Sequence, residues 1–253
     1  MRILITNDDG IQAPGIRALA RGLSEIAQIT VVAPEMQRSA VGHGITLHKP
    51  LRLDEVEFDG DIAAYSSNGT PADCVTLGTQ SDLPEPDFIA AGINAGANLG
   101  EEVLYSGTAS AAMEGALHGF QSLALSVCSY VDVNYNVAEQ IAPVIIEVLA
   151  EYPLPSGTFL NVNVPNVSAE DIQGVQVTRL GRRNYEEVLS KRRDPSGRPY
   201  YWLAGSPQEK DACEGTDIAA IQNNRISMTP IHFDVTSEDH WDGFEALRWR
   251  LEL

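Results

Sequence analysis

Cysteine is scarce in this chain of 253 residues. The three cysteines, Cys74, Cys128 and Cys213, are an odd number, lie far apart and form no CxxC pair. This pattern indicates neither a disulfide framework nor a thiolate zinc site. We expect all three to be small core residues, with Cys128 buried after the apolar run 123–125.

Basic residues are also few, since 17 Lys and Arg stand against 35 Asp and Glu, and the formal net charge is −18. Binding to a phosphate backbone relies on clustered Lys and Arg, so this charge argues against nucleic acid as a general partner and against an anionic membrane surface. No stretch approaches the ~20 apolar residues of a transmembrane helix. The amino terminus reaches Asp8 and Asp9 too early for a signal peptide, and we expect a cytoplasmic protein.

Hydrophobic residues, by contrast, make up 43% of the chain, which is typical of a folded protein. In the first half, short apolar runs alternate with helical patterns, as in βα units on a parallel sheet, so we predict an α/β fold. The predicted strands are 3–5, 29–32, 88–91, 122–127 and 159–164, and the predicted helices are 16–26, 72–78, 110–118 and 138–151.

The pattern changes at about residue 175. Two strand-like segments, 175–180 and 200–203, flank the turn sequence Asp-Pro-Ser-Gly at 194–197 and predict an extended hairpin. Segment 226–231 is typical of a strand. Ser237, followed by apolar residues at helical spacing, predicts a capped C-terminal helix.

Two adjacent carboxylates follow the first predicted strand. Ligands of an open parallel sheet bind beyond the carboxyl ends of its strands, and Gly10 permits a sharp turn that can bring Asp8 and Asp9 toward one point. Paired carboxylates repel each other, and a divalent cation bound through oxygen relieves the repulsion. The alternative interpretation is a polar turn without a ligand.

Polar loops follow two further predicted strands. After the second, Ser39 offers a hydroxyl to a hard cation, Arg38 offers a charge to an anion, and His43 is either an acid–base group or a structural residue. After the strand at 88–91, a loop with three glycines carries Asn94 and Asn98, whose amides suit a metal or a phosphate.

A hydroxyl-rich turn, Ser106-Gly107-Thr108, stands just before the helix predicted at 110–118. Hydroxyls, free backbone N–H groups and the positive end of a helix dipole at one point suit a phosphate. The alternative is that Ser106 or Thr108 only caps the helix.

Taken in order, these motifs resemble the SurE family, the stationary-phase survival proteins that act as metal-dependent nucleotidases. The resemblance rests on ILITNDDGIQAPGI, VVAPEMQRSAVGHGIT, SSNGTPADCV and AAGINAGANLGEEVLYSGTASAAMEGA, and later on LNVNVP and SMTP. It covers nearly the whole chain, and the combination of motifs is highly specific. Ala109, where relatives often carry Val, is a departure without chemical consequence.

The resemblance implies a site that holds one divalent cation per subunit, Mg²⁺ or Mn²⁺. The implied ligands are Asp8, Asp9, Ser39 and Asn94. The residues implied to lie against the substrate phosphate are Asn98, Ser106, Gly107 and Thr108.

The resemblance also implies the architecture. It predicts a Rossmann-like three-layer, mostly parallel sheet, with an α/β catalytic core at 1–170. Residues 171–253 would provide the hairpin, a closing strand and an exchanged C-terminal helix within the same structural unit, and would make a homodimer or homotetramer.

The implied activity is hydrolysis of nucleoside 5′-monophosphates, with 3′-monophosphates and short polyphosphate as further substrates. We hypothesise that water activated by the cation attacks the phosphorus, with Asp8 as base or orienting group; a covalent aspartyl-phosphate on Asp8 is the competing mechanism. A nucleotide-binding stress-response module without turnover is the alternative function.

One segment departs from the acidic character of the chain. Seven of the 17 basic residues lie between 179 and 198: Arg179, Arg182, Arg183, Lys191, Arg192, Arg193 and Arg198. They serve either salt bridges within or between subunits or contact with extended anionic substrates such as polyphosphate.

Overall fold

The computed structural model describes residues 1–182, 184–186, 189–203, 206–208 and 213–236. The strands are β1 (Arg2–Thr6), β2 (Gln28–Pro34), β3 (Leu53–Glu55), β4 (Ala63–Ser67), β5 (Phe88–Ala95), β6 (Gln121–Val127), β7 (Thr158–Val164), β8 (Val175–Val177), β9 (Asn184–Glu186), β10 (Leu189–Arg193), β11 (Pro199–Leu203), β12 (Ser206–Gln208) and β13 (Ile226–His232). The α-helices are α1 (Pro14–Ser24), α2 (Pro71–Gln80), α3 (Gly107–Leu117), α4 (Asn136–Glu151) and α5 (Asp217–Gln222). Short 3-10 helices cover Gly100–Leu104 and Ala169–Asp171.

Nine strands form one sheet in the order β3-β4-β2-β1-β5-β6-β7-β13-β8. The six central strands, from β4 to β7, are parallel. At the edges, β3 is antiparallel to β4, and β13 is antiparallel to β7. The sheet is therefore mostly parallel, as predicted.

Helices cover both faces of the sheet and make three layers. Ile3 and Ile5 of β1 belong to one buried cluster together with apolar residues of α1 and α4. Leu4, which points to the opposite face, packs in a second cluster with residues of α2 and α3. The alternation along β1 thus divides the core between the two faces.

The predicted elements from residue 3 to residue 164 are present, with ends that differ by up to four residues. Two differences bear on the site: β5 continues to Ala95, so that Asn94 lies in the strand and not in the loop after it, and α3 begins at Gly107 and not at residue 110. Ser106 is its N-cap, because the Ser106 side chain accepts a hydrogen bond from the backbone of Ala109. Strands β3 and β4 were not predicted.

The hairpin was predicted with the wrong first strand. Segment 175–177 joins the main sheet as β8 beside β13, and the strand that pairs with β11 across the turn at 194–197 is β10. Periodicity did not distinguish the two segments, because both are strand-like. Only β10 is close enough in sequence to β11 to pair with it across a tight turn. The predicted helix after Ser237 lies outside the described residues.

The cysteine prediction holds for Cys74 but is wrong for the other two. Cys128 is half-buried because β6 ends one residue before it, and Cys213 is exposed in the loop that precedes α5. In the part of the chain that the structure describes, no helix is long and apolar enough to cross a membrane.

Candidate functional site

The site lies where the strand order reverses. The chain passes from β1 to β2 on one side, and after β4 it crosses to β5 on the other side of β1. The loops that leave β1 and β5 therefore diverge and open a crevice at the carboxyl edge of the sheet. The loop after β1 carries Asp8 and Asp9, and Asn94 is the next-to-last residue of β5.

The side chain of Asn7 closes the turn after β1. The Asn7 amide Nδ2 donates to the Gly10 carbonyl (2.9 Å), and the Gly10 N–H donates to Asn7 Oδ1 (3.2 Å). Gly10 has a φ of 96°, which favours glycine because a side chain would be strained there. The turn fixes the direction of the two aspartates between Asn7 and Gly10.

Asp8 is buried against the first turn of α3. Thr108 Oγ1 donates a short hydrogen bond (2.5 Å) to Asp8 Oδ1. The pKa of Asp8 is raised from 3.8 to about 6, because the effect of burial and the smaller effect of the neighbouring Asp9 charge exceed the opposing effect of the Thr108 hydrogen bond. The carboxylate is thus held in place, but burial and the neighbouring charge make its ionised form less favourable. A bound cation would offset this electrostatic cost.

Hydrogen bonds link Asp9 to Ser39 through Gln37 and to the backbone of Ala95, the residue after Asn94. Gln37 Nε2 donates to Asp9 Oδ1 (3.4 Å) and to Ser39 Oγ (2.8 Å). The backbone N–H of Ala95 donates to Asp9 Oδ2 (3.1 Å), next to Asn94. Burial also raises the pKa of Asp9.

Asn94 completes the set of oxygen donors. Its Nδ2 donates to the Gly96 carbonyl (2.9 Å), and this bond fixes the amide so that the side-chain oxygen is the atom left for a ligand. Among the described residues, no three His, Cys, Asp or Glu side chains gather in a way that could hold a metal ion. A cation at the two aspartates would need neutral oxygens as well, and the Ser39 hydroxyl and the Asn94 amide fit that need.

The predicted phosphate-binding residues lie at the start of α3 and on the loop after β5. A Cβ on Gly107 would come within 2.6 Å of Asp8 Cβ and 2.9 Å of Asp8 Oδ2, so only glycine lets the helix start approach the carboxylate. Asn98 is buried, and its Nδ2 gives one hydrogen to Ser126 Oγ (2.9 Å). The second hydrogen of that nitrogen is available to a ligand.

A cavity of about 200 Å³ joins most of these residues. Five of the eight predicted site residues line it; Asp9 lines an adjoining cavity, and Gly107 and Thr108 contact Asp8. The lining residues that were predicted are Asp8, Ser39, Asn94, Asn98 and Ser106.

Two other candidates have structural contacts. His43 Nε2 makes a 2.6 Å hydrogen bond with Glu114 on α3, which supports the structural interpretation of this histidine. The Arg38 guanidinium lies against the Asn68 carbonyl (3.4 Å) and Glu35 (3.9 Å). Neither side chain lines the 200 Å³ cavity.

Sequence reasoning gave no role to two asparagines of β7 that hold the site. Asn161 and Asn163 are fully buried, and each donates from Nδ2 to the Asn98 carbonyl (2.9 and 3.0 Å). Asn163 Oδ1 also accepts from the Asn98 N–H (2.8 Å). Their signal was two asparagines in a strand that is otherwise apolar, because buried amides need partners.

The fold and the site together define a class: α/β proteins with a parallel sheet whose switch point carries paired carboxylates beside a helix N-terminus. The family model described as "Survival protein SurE" matches residues 3–187. The chain belongs to the SurE family.

Similar proteins cover nearly the whole chain. A protein of Heliobacterium modesticaldum named 5'-nucleotidase SurE is 52% identical over 239 residues, which are 94% of this chain and 88% of that protein. A protein of the same name from Moorella thermoacetica is 49% identical over 94% of this chain and 92% of its own. The crystal structure of the SurE protein from Aquifex aeolicus covers 99% of both chains with a TM-score of 0.84 and 38% identity.

Proposed function

We propose that this chain is a divalent-metal-dependent phosphomonoesterase that hydrolyses nucleoside 5′-monophosphates to nucleoside and phosphate. The observation that carries the proposal is the buried Asp8 carboxylate, which Thr108 holds at the N-terminus of α3 beside a second carboxylate. Relatives about half identical to this chain carry the name 5'-nucleotidase, and their names support this substrate class.

Asp8, Asp9, Ser39 and Asn94 are the residues that would hold one cation, Mg²⁺ or Mn²⁺. When bound, such a cation polarises a phosphate oxygen and lowers the pKa of water. The oxygen donor set and the raised pKa values of both aspartates support a hard divalent cation.

The chain's own residues would then orient and stabilise the reacting groups. The Asn98 amide, the Ser106 hydroxyl and the N–H groups at the start of α3 bind the phosphate oxygens and stabilise their charge. Asp8, oriented by Thr108, accepts a proton from the attacking water. The water oxygen forms the new bond to phosphorus as the ester bond breaks, and the leaving oxygen takes a proton from solvent water, so that the nucleoside leaves as the alcohol.

The test is hydrolysis of AMP by the metal-free protein and after addition of Mg²⁺ or Mn²⁺. We expect turnover only with metal, and Asp9→Asn should raise the metal concentration required. If no metal gives turnover while AMP still binds, the protein is the nucleotide-binding stress-response module and not an enzyme. Full activity of Asp9→Asn at limiting metal would contradict the ligand assignment.

A second test separates direct attack by water from a covalent aspartyl-phosphate on Asp8. Single-turnover samples quenched in acid are digested and analysed by mass spectrometry for phosphorylated Asp8. Direct attack predicts that no phosphorylated peptide accumulates and that configuration at phosphorus inverts. A captured phospho-Asp8, or retention of configuration, would establish the covalent route.

The wider properties of the protein are part of the same proposal. They include activity on 3′-monophosphates and short polyphosphate, a homodimer or homotetramer built through residues 171–253, a cytoplasmic location and a role in stress survival. Neutralising Arg192 and Arg193 together distinguishes the two functions of the basic segment 179–198. Loss of assembly supports salt bridges, whereas selective loss of activity on long-chain substrates supports polyphosphate binding.

A further inference from the structure

A second cavity, of about 450 Å³, adjoins the one that holds the site residues. The two cavities share Gln37, Ala95 and Tyr130 in their walls, so an occupant of one can continue into the other. The remaining wall of the larger cavity is mostly apolar and includes Val133 and Tyr135. Its volume is within the range of small-molecule sites.

Tyr130 stands at the boundary between the cavities. A Cβ on Gly96 would come within 2.8 Å of Tyr130 Cζ and 3.0 Å of its hydroxyl, so the hydroxyl end of the ring contacts the residue that follows β5. The side chain nevertheless remains 80% exposed. An exposed aromatic ring at the boundary of a cavity offers a stacking surface to a flat ligand.

The charge of the walls selects the kind of ligand. Among the described residues that line the two cavities, none is Lys or Arg. Asp9 is the ionised group of the larger cavity. No basic side chain is therefore present there to bind an additional phosphate, whereas an uncharged group needs none.

We infer that the larger cavity is the subsite for the leaving group of the substrate, with the base of a nucleoside stacked on Tyr130. The inference rests on the proposed function and deepens it. The preferred substrates are monophosphate esters of uncharged alcohols that carry an aromatic ring, and Tyr130 determines this preference.

The experiment compares two substrates in the metal-loaded enzyme, AMP and glycerol phosphate, which has no base. Tyr130→Ala should raise KM for AMP about 10-fold, as expected for the loss of one stacking contact, and should change kcat/KM for glycerol phosphate less than about 2-fold. Tyr130→Phe keeps the ring and should retain the wild-type KM. Tyr130→Leu keeps bulk over Gly96 without an aromatic face and should behave as Tyr130→Ala.

Tyr105 provides the matched control. Its side chain is also exposed, at 66%, and it lines the smaller cavity alone. We expect Tyr105→Ala to leave the ratio of kcat/KM for the two substrates unchanged. A rise in KM for AMP with Tyr105→Ala and not with Tyr130→Ala would place the base elsewhere and overturn the inference.

Two further outcomes are distinguishable. If Tyr130→Ala lowers kcat/KM for both substrates equally, the ring only supports the end of β5 near Asn94, and the subsite is wrong while the phosphatase remains. If the wild-type enzyme hydrolyses neither substrate with Mg²⁺ or Mn²⁺, the proposed function itself fails. Adenosine should inhibit hydrolysis of glycerol phosphate by the wild-type enzyme and should inhibit Tyr130→Ala more weakly. This result would support the subsite independently of any effect of the substitution on catalysis.

Discussion

Asp8 contacts the start of α3 through two different residues. Thr108 donates to its carboxylate, and Gly107 leaves the space in which that carboxylate lies. The Thr108 hydrogen bond stabilises the charged form of Asp8, whereas the lack of a side chain on Gly107 permits the position of Asp8. They can therefore be tested separately.

Gly107→Ala tests the position of Asp8. The new Cβ would overlap the Asp8 side chain, and a displacement of about 1 Å in such a site costs about 100-fold in rate. We expect a loss of AMP hydrolysis of that order. Gly44→Ala, whose Cβ would meet only the Val41 carbonyl at 3.3 Å, is the control. Activity of Gly107→Ala equal to that of the control would contradict the close approach.

Thr108→Val tests the hydrogen bond to Asp8 at nearly constant volume. Because this bond lowers the pKa of Asp8, its loss should weaken metal binding or activity by about 10-fold to 100-fold, as for other groups that orient a metal ligand. The measurement is metal titration by calorimetry together with kcat for AMP. Thr108→Ser should retain function.

The control for this substitution is Thr79→Val on α2, whose hydroxyl donates to the Val75 carbonyl away from the site. It should leave metal affinity unchanged. Equal effects of the two substitutions would mean that Thr108 acts only through folding.

Helix α3 is fixed to its surroundings by Glu114. The Glu114 carboxylate accepts from Thr76 on α2 (3.1 Å) and contacts His43 (2.6 Å) and His118 (3.2 Å). His43 lies four residues beyond Ser39, so the contact joins the loop that carries Ser39 to the helix whose first turn holds Asp8. Helix α3 is thus held at its first turn by the contact with Asp8 and near its C-terminal end by the contacts of Glu114.

Glu114→Gln should give a pH-dependent loss of stability. The hydrogen bond with His43 lowers the pKa of Glu114 below 4.5 in the folded protein. A lowered pKa contributes stability above the unfolded pKa and loses it as the pH falls through the folded pKa. We expect a deficit of about 1 kcal/mol at neutral pH that disappears in acid, measured by urea unfolding across a pH series. A deficit independent of pH, or one equal to that of the exposed Glu147→Gln, would contradict the role of the ion pair.

How far the elements were predictable depends on the distance of their contacts in sequence. Helix α2, predicted at 72–78, is found at Pro71–Gln80, and its start depends on the capping box of Thr70 and Asp73, whose partners lie within one turn. The pairing of 175–177 with β13 was not predictable, because a strand near residue 226 supplies the partner. Periodicity reports which face is buried and not which strand lies beside it.

The same distinction applies to the site. Asp8, Asp9, Asn94 and Ser106 were candidates because the carboxyl edge of a parallel sheet gathers whatever follows its strands. The support from Asn161 and Asn163 and the bridging by Gln37 depend on side-chain directions across loops, which local sequence does not specify.

At the scale of the whole molecule, the hairpin of β10 and β11 presents apolar side chains to solvent. Tyr201, Trp202 and Leu203 are 55%, 60% and 82% exposed. Exposed apolar groups in a contiguous segment are typical of a contact between proteins. They support the prediction that this segment joins copies of the chain.

Trp202→Lys should therefore shift the molecular mass measured by light scattering toward the single chain. The charge would be buried without a partner at the contact. Val148→Lys, on the outer face of α4 and 51% exposed, should leave the mass unchanged. An unaltered mass for Trp202→Lys would show that this hairpin does not contribute to a contact between copies of the chain.

The contacts around the site span long stretches of the chain. Asp8 and Thr108 are 100 residues apart, Asn98 and Asn163 are 65 apart, and the Gly100 N–H that donates to Asp217 Oδ2 is separated from it by 117 residues. During synthesis, a nascent chain cannot complete these bonds until residue 217 has left the ribosome. Asp8 can meet Thr108 once residue 108 has been made, whereas the contacts of Asn98 and Gly100 wait for Asn163 and Asp217, so the loop after β5 is the last part of the site's surroundings to be completed.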